Sequence, residues 1–185
     1  MFYKMIENKC KEWYSSDQCT VRNLIEYIEK TGQMRDAQIE AIKVYLFLKI
    51  GCECKPLEFL FRYGCFNSIN LNDIELSTAT REYLEENPAA TALFEYARLT
   101  NDKGEQVSEK LEKQIKKDPS SIDYDGFFRT AFYGVSYTDY LFSLPMGAGK
   151  TYLMAAFIYL DLYFALNEPA NPAFAHNLSY LHLPA

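Results

Sequence analysis

A chain of 185 residues is the length of one domain, or one and a fraction. Apolar residues make up 49% and charged residues 24%, a balance that excludes wholesale disorder. Lys and Arg number 19 against 25 Asp and Glu, so the net charge of −6 excludes a uniformly basic nucleic-acid coat, though not a local basic groove. The five cysteines (Cys10, Cys19, Cys52, Cys54 and Cys65) contain no C-x-x-C pair. Neither a disulfide framework nor a four-ligand zinc site is expected, and a reducing cytoplasm fits best. The first residues lack the apolar core of a signal peptide. The longest apolar run, Tyr152 to Leu166, is 15 residues with Asp161 inside it, so no membrane span is expected.

The first hundred residues read as helical. Asn23 to Glu29 places Leu24, Ile25, Tyr27 and Ile28 on one side, and Thr31-Gly32 then breaks the pattern. Asp36 to Ile50 is the strongest upstream helix, because Ile39, Ile42, Leu46 and Ile50 recur at i, i+3, i+7 and i+11, with Gly51 as its stop. Pro56 opens the next helix, giving Leu57, Leu60 and Phe61 an inward face. Residues 66–77 read as a loop with short turns. Helical periodicity returns over 78–100, interrupted at Asn87-Pro88, where the residue before proline is pushed out of the helical region. Lys110 to Lys117 is a charged helix. Its lysines alternate with Glu105, Glu109, Glu112 and Asp118, which marks a solvated face and not a nucleic-acid patch.

After about Ser136 the chain becomes almost uncharged. Tyr137 to Leu144 reads as a buried strand, Pro145 to Gly149 as a turn and Lys150 to Leu166 as a helix apolar nearly all round. A loop follows, and Asn177 to Leu183 reads as a second strand. Strand, turn, helix and strand make a βαβ unit, which implies a parallel sheet covered by helices.

The turn reads Leu144-Pro145-Met146-Gly147-Ala148-Gly149-Lys150-Thr151. A phosphate chain needs inward backbone N–H groups with no side chains in the way. Gly147 and Gly149 permit that curvature around Ala148, and the following helix adds its positive dipole end. Lys150 then reaches the β and γ phosphates, and the Thr151 hydroxyl is placed to hold Mg²⁺. Leu144 stands where the general pattern G-x-x-x-x-G-K-[ST] has its first glycine.

This form of the loop resembles motif I of the superfamily-two helicases and translocases. The nearest in kind are DEAD/DEAH-type helicases and the ATPase subunits of type I and type III restriction enzymes. A second segment, Met34-Arg35-Asp36-Ala37-Gln38-Ile39-Glu40-Ala41-Ile42, resembles the Arg-x-x-Gln-x-x-Ala-Ile stretch that precedes motif I there. By that resemblance Gln38 reads the adenine edge of ATP and Arg35 orders the segment. Gln38 lies 109 residues (147 − 38) before Gly147, so residues 52–125 are expected as a helical insertion. The resemblance implies an α-rich region over 1–135 and the first βαβ of a P-loop α/β (RecA-like) domain over 136–185, ending near where motif Ia lies.

Such a motor also needs an acidic D-E-x-x strand end and arginines from a second domain. Phe157 to Asp161 imitates the acidic motif, but it comes 11 residues (161 − 150) after Lys150 and so belongs to the same helix. His176 and His182 have too few companions to hold a metal. The expected function is therefore an ATP-Mg²⁺-binding N-terminal part of a helicase or restriction translocase, with negligible turnover by this chain alone. Its partners would be DNA or RNA and further restriction subunits, with no membrane. The alternatives are a helical interaction or regulatory module that binds no nucleotide, and a small-metabolite P-loop kinase.

Overall fold

The computed structural model describes residues 1–134, 140–143, 147–171 and 174. The elements in chain order are α1 (Phe2–Ser15), α2 (Arg22–Thr31), α3 (Asp36–Leu46), a π-turn (Phe47–Gly51) and α4 (Leu57–Arg62). There follow a 3₁₀ turn (Leu71–Asp73), α5 (Thr78–Glu86), α6 (Pro88–Arg98), α7 (Glu109–Lys117), a second 3₁₀ turn (Pro119–Ser121), α8 (Tyr124–Ala131) and α9 (Lys150–Asn167).

The described residues contain no β-strand, which overturns the expected βαβ P-loop α/β domain. An isolated antiparallel bridge joins Thr100 and Gln106. Of the strand expected over 137–144, residues 140–143 belong to neither helix nor ladder. The strand expected over 177–183 lies outside the described residues, as do Pro145 and Met146 of the turn. The physical reason is that an apolar run of eight residues does not define a strand by itself. It needs a ladder partner, and a sheet below about three strands has little stability of its own.

The chain divides into two compact units, each discontinuous: Met1–Ser16 with Lys55–Leu141, and Asp17–Cys54 with Phe142–Ala185. The first is built round aromatic rings. Phe61 lies against Phe66 (4.8 Å, edge-on) and Phe128 (5.7 Å, stacked), while Phe2 of α1 stacks on Tyr96 of α6 at 4.1 Å. Small residues on α6 (Ala89, Ala90, Ala92 and Ala97, all buried) let its neighbours come close. Side-chain caps start the helices: Ser77 accepts from Thr80 N, Asn87 from Ala90 N and Ser108 from Leu111 N. Buried Glu95 accepts three hydrogen bonds, from Ser68 N (2.9 Å), Ser68 Oγ (2.6 Å) and Ile69 N (3.1 Å), and so satisfies the turn after Phe66.

Two carboxylates make this unit sensitive to acid. Burial pushes Glu112 up, but hydrogen bonds from Lys116 and Gln106 and the charge of Arg98 outweigh it, leaving the group below its ordinary value. Asp125 is held down by its hydrogen bond from Arg62 (2.8 Å), against burial. Groups depressed by folding stabilise the native state above their unfolded pKa and lose that contribution as pH falls through the folded value. Stability is therefore expected to hold from neutrality to about pH 4.5 and to fall progressively below it. Thermal melts from pH 7 to pH 3 check this, and Glu112→Gln is expected to make the acid limb shallower.

In the second unit, α3 buries Gln38, Ile39, Ala41, Ile42, Val44, Tyr45 and Leu46. Each large apolar side chain among them contributes roughly 1.5–3 kcal/mol. The helix expected to run to Ile50 changes pitch after Leu46: Cys52 N donates to Phe47 O at 2.9 Å, an i to i+5 bond that widens the last turn. Tyr45 stacks on Phe157 of α9 at 4.2 Å. Asp161, lying mid-helix, accepts from the Tyr45 hydroxyl and pairs with Lys49 at 3.3 Å. Apolar residues surround α9, but their burial is uneven: Leu153, Leu160 and Phe164 are buried, whereas Tyr159 is 67% and Leu166 80% exposed.

Candidate functional site

The site lies in the second unit, where a short loop enters α9. Gly147 (φ +77°) and Gly149 (φ +75°) both occupy the left-handed region that favours glycine, and Gly149 is the residue that caps α9. The two turns of backbone bring the chain to the N-terminus of an 18-residue helix, whose first amides carry partial positive charge. Lys150 and Thr151 are the first helical residues and both are exposed. Among the described residues neither side chain makes an ion pair or hydrogen bond, so the ammonium and the hydroxyl face solvent.

The helix start at Arg35 to Gln38 meets this loop directly. Gln38 Nε2 donates to Gly149 O at 3.0 Å, while Gln38 Oε1 accepts from the backbone N–H of Arg35 at 2.9 Å. A carbonyl only accepts and a backbone amide only donates, so the orientation of the Gln38 carboxamide is fixed by its partners. Arg35 Nη1 donates to Gly147 O. Arg35, Gln38, Gly147 and Gly149 are thus brought together across more than a hundred residues of sequence, and Lys150 and Thr151 follow them at the helix head. Gln38 is buried, at 4% exposure, where the sequence pattern alone does not distinguish it from an outward polar residue.

Tyr152 completes the surroundings, a role that the reading of the sequence missed. Its hydroxyl donates to Gly32 O at 3.0 Å, tying the end of α2 to the first turn of α9. Beside it an apolar groove of about 450 Å³ runs between α2 and α9, walled by Leu24, Tyr27, Ile28, Met34, Tyr152 and Tyr159 among others. A tyrosine two positions after the lysine was the available signal, but its partner is a backbone carbonyl, which no side-chain pattern reveals.

The arrangement places backbone amides at a helix head beside an exposed ammonium, groups that favour an anion over a bare cation. Among the described residues no group of three or more His, Cys, Asp or Glu is placed to hold a metal. Thr151 offers one exposed hydroxyl. That suits a Mg²⁺ ion arriving already bound to phosphate and water, since Mg²⁺ keeps most of its hydration and takes few protein ligands. Asp161 is committed to Lys49 and Tyr45 and adds no carboxylate here. His176 and His182 lie outside the described residues. No described helix is long and apolar enough to cross a membrane. No protein-family model, curated protein or solved structure matches the chain.

Proposed function

We propose that the second unit binds a nucleoside triphosphate, with its phosphates on the loop Gly147–Thr151, as the ATP-binding part of a helicase or translocase acting on nucleic acid. The observation that carries the reading is the pair of left-handed glycines delivering Lys150 and Thr151, exposed, to the head of α9. Backbone amides and the helix dipole favour the anion there, Lys150 balances phosphate charge, and Thr151 ligates Mg²⁺ brought with it. The motor assignment is supported by the resemblance of this loop, and of Arg35 to Ile42, to the superfamily-two motifs. Its nucleic acid would be DNA, with restriction subunits as companions and the cytoplasm as its compartment.

A second reading is a helical interaction module that binds no nucleotide. The lack of a strand among the described residues favours it, as does the exposed apolar side of α9. Lys150→Ala separates the two. On the first reading MgATP raises the melting temperature of the wild type, by the equivalent of about 2.7 kcal/mol at a hundredfold excess over Kd. The variant is expected to bind about 10- to 100-fold more weakly, the loss of a hydrogen bond to a charged group. Its stability without ligand should stay within about 0.5 kcal/mol of the wild type, because Lys150 is exposed and unpaired among the described residues. A wild type whose melting temperature ignores saturating MgATP leaves only the module.

A further inference from the structure

We infer that Gln38 and Arg35 are positioning residues that hold the loop open for phosphate, and that the site selects its ligand by phosphate and not by base. The inference rests on the nucleotide reading above and goes beyond it by assigning the source of specificity.

Peptide geometry supplies the first step. The described peptide bonds are all trans, so a carbonyl and the amide of the next residue point in opposite directions. Arg35 draws the Gly147 carbonyl toward the start of α3, which turns the Ala148 N–H the other way. Gln38 does the same to the Gly149 carbonyl, which also accepts the first helical bond from Leu153 N at 3.1 Å, and so turns the Lys150 N–H outward. Two alternate carbonyls clamped on one side leave two amides directed to the other. Amides facing one way at the head of a helix favour an anion, and preformed donors need no rearrangement when the anion arrives.

The second step concerns what Gln38 has left to offer. Reading an adenine edge takes the carboxamide oxygen and one amide hydrogen together. Here Oε1 accepts from Arg35 N and Nε2 donates to Gly149 O, which fixes the carboxamide, and at 4% exposure its second lone pair and second hydrogen have almost no surface on which to meet a base. The carboxamide that would distinguish adenine from guanine is turned into the protein. A site built to hydrogen-bond a particular group rejects analogues lacking it by several orders of magnitude, whereas an apolar surface discriminates weakly. The groove nearby is walled largely by apolar surface.

Isothermal titration of the 185-residue chain with MgATP, MgGTP and magnesium tripolyphosphate tests this. ATP and GTP are expected to bind within about threefold of each other, since the buried Gln38 carboxamide does not separate them. Gln38→Ala is expected to weaken ATP, GTP and tripolyphosphate by one common factor of about five or more, the cost of one lost hydrogen bond. The ATP/GTP ratio should not move, and that constancy is a readout a base reader would not give. Should Gln38→Ala fail to fold, Arg35→Ala serves instead, because its bond to the loop is exposed. It too is expected to lower affinity for all three ligands by one factor and to leave the ratio unchanged. An ATP preference above tenfold that collapses in Gln38→Ala overturns the inference while leaving phosphate binding intact. Tripolyphosphate affinity untouched by either variant also overturns it. Failure of all three ligands to bind the wild type defeats the nucleotide reading itself, and the inference with it.

Discussion

Phe61→Ala is expected to destabilise the first unit by about 3–5 kcal/mol, the range for removing a large aromatic side chain from a packed core. Phe61 has no solvent exposure, and its ring touches those of Phe2, Phe66, Phe128 and Phe132. Removal forfeits both the transfer energy of the ring and its contacts with four others, and rigid aromatic neighbours collapse poorly into the space. Native domains hold only about 5–15 kcal/mol in total, so the variant sits near the edge of folding. Urea denaturation followed by circular dichroism measures the difference. Tyr63→Ala, at a position 62% exposed, is the control and is expected to cost far less. A loss below 1 kcal/mol at Phe61 would show that the rings do not form the core of this unit.

Gly149→Ala has the second largest expected effect, and it acts on the site. The residue holds φ at +75°, where an L side chain costs about 1–2 kcal/mol. Its new Cβ would also stand 2.6 Å from Gln38 Nε2, so the carboxamide must leave and its bond to the loop is lost. Together these come to about 2–3 kcal/mol, taking roughly 1 kcal/mol for the hydrogen bond. Gly147→Ala meets nothing within 4 Å and carries only the backbone penalty of about 1–2 kcal/mol. On the proposed nucleotide reading, stabilisation by MgATP is expected to vanish in the first variant and to shrink in the second. Equal losses at the two positions in denaturant titrations would mean that Gln38 does not clamp the loop.

Local signals in the sequence were the most readable. Asn87-Pro88 separates α5 from α6 as the proline rule requires, with the Asn87 side chain capping Ala90 N at 3.1 Å. The alternating charges over 110–117 make α7 a solvated helix with Ile115 as its buried residue. Lys150 opens α9 as the loop pattern demands, and Asp161 lies on that helix, paired with Lys49 and not poised as a catalytic acid.

The failures came where the outcome depends on distant partners. The run of apolar residues in α9 implied a sheet to cover it, but composition says how much surface wants burial and not whether anything buries it. Residues 140–143 carry strand-like residues, yet a strand exists only if another accepts its hydrogen bonds. The change of pitch at Phe47–Gly51 was hidden because the spacing of Leu46 and Ile50 fits an α-helix equally well. Of the site, its residues were legible and their use was not. Helical spacing brings Gln38 onto α3, while its burial against Gly149 depends on a segment 111 positions away.

The discontinuity of the second unit has a consequence for how the protein is made. Its early segment ends at Cys54 and its late one begins at Phe142, 88 residues (142 − 54) further on. At ribosomal speeds of about 5–20 residues per second, that interval lasts roughly 4–18 s. During it Tyr45, whose ring stacks on Phe157 in the finished fold, has no α9 to meet. The newborn chain is therefore expected to pass through a period in which this ring is accessible to holdase chaperones, and slower translation lengthens it.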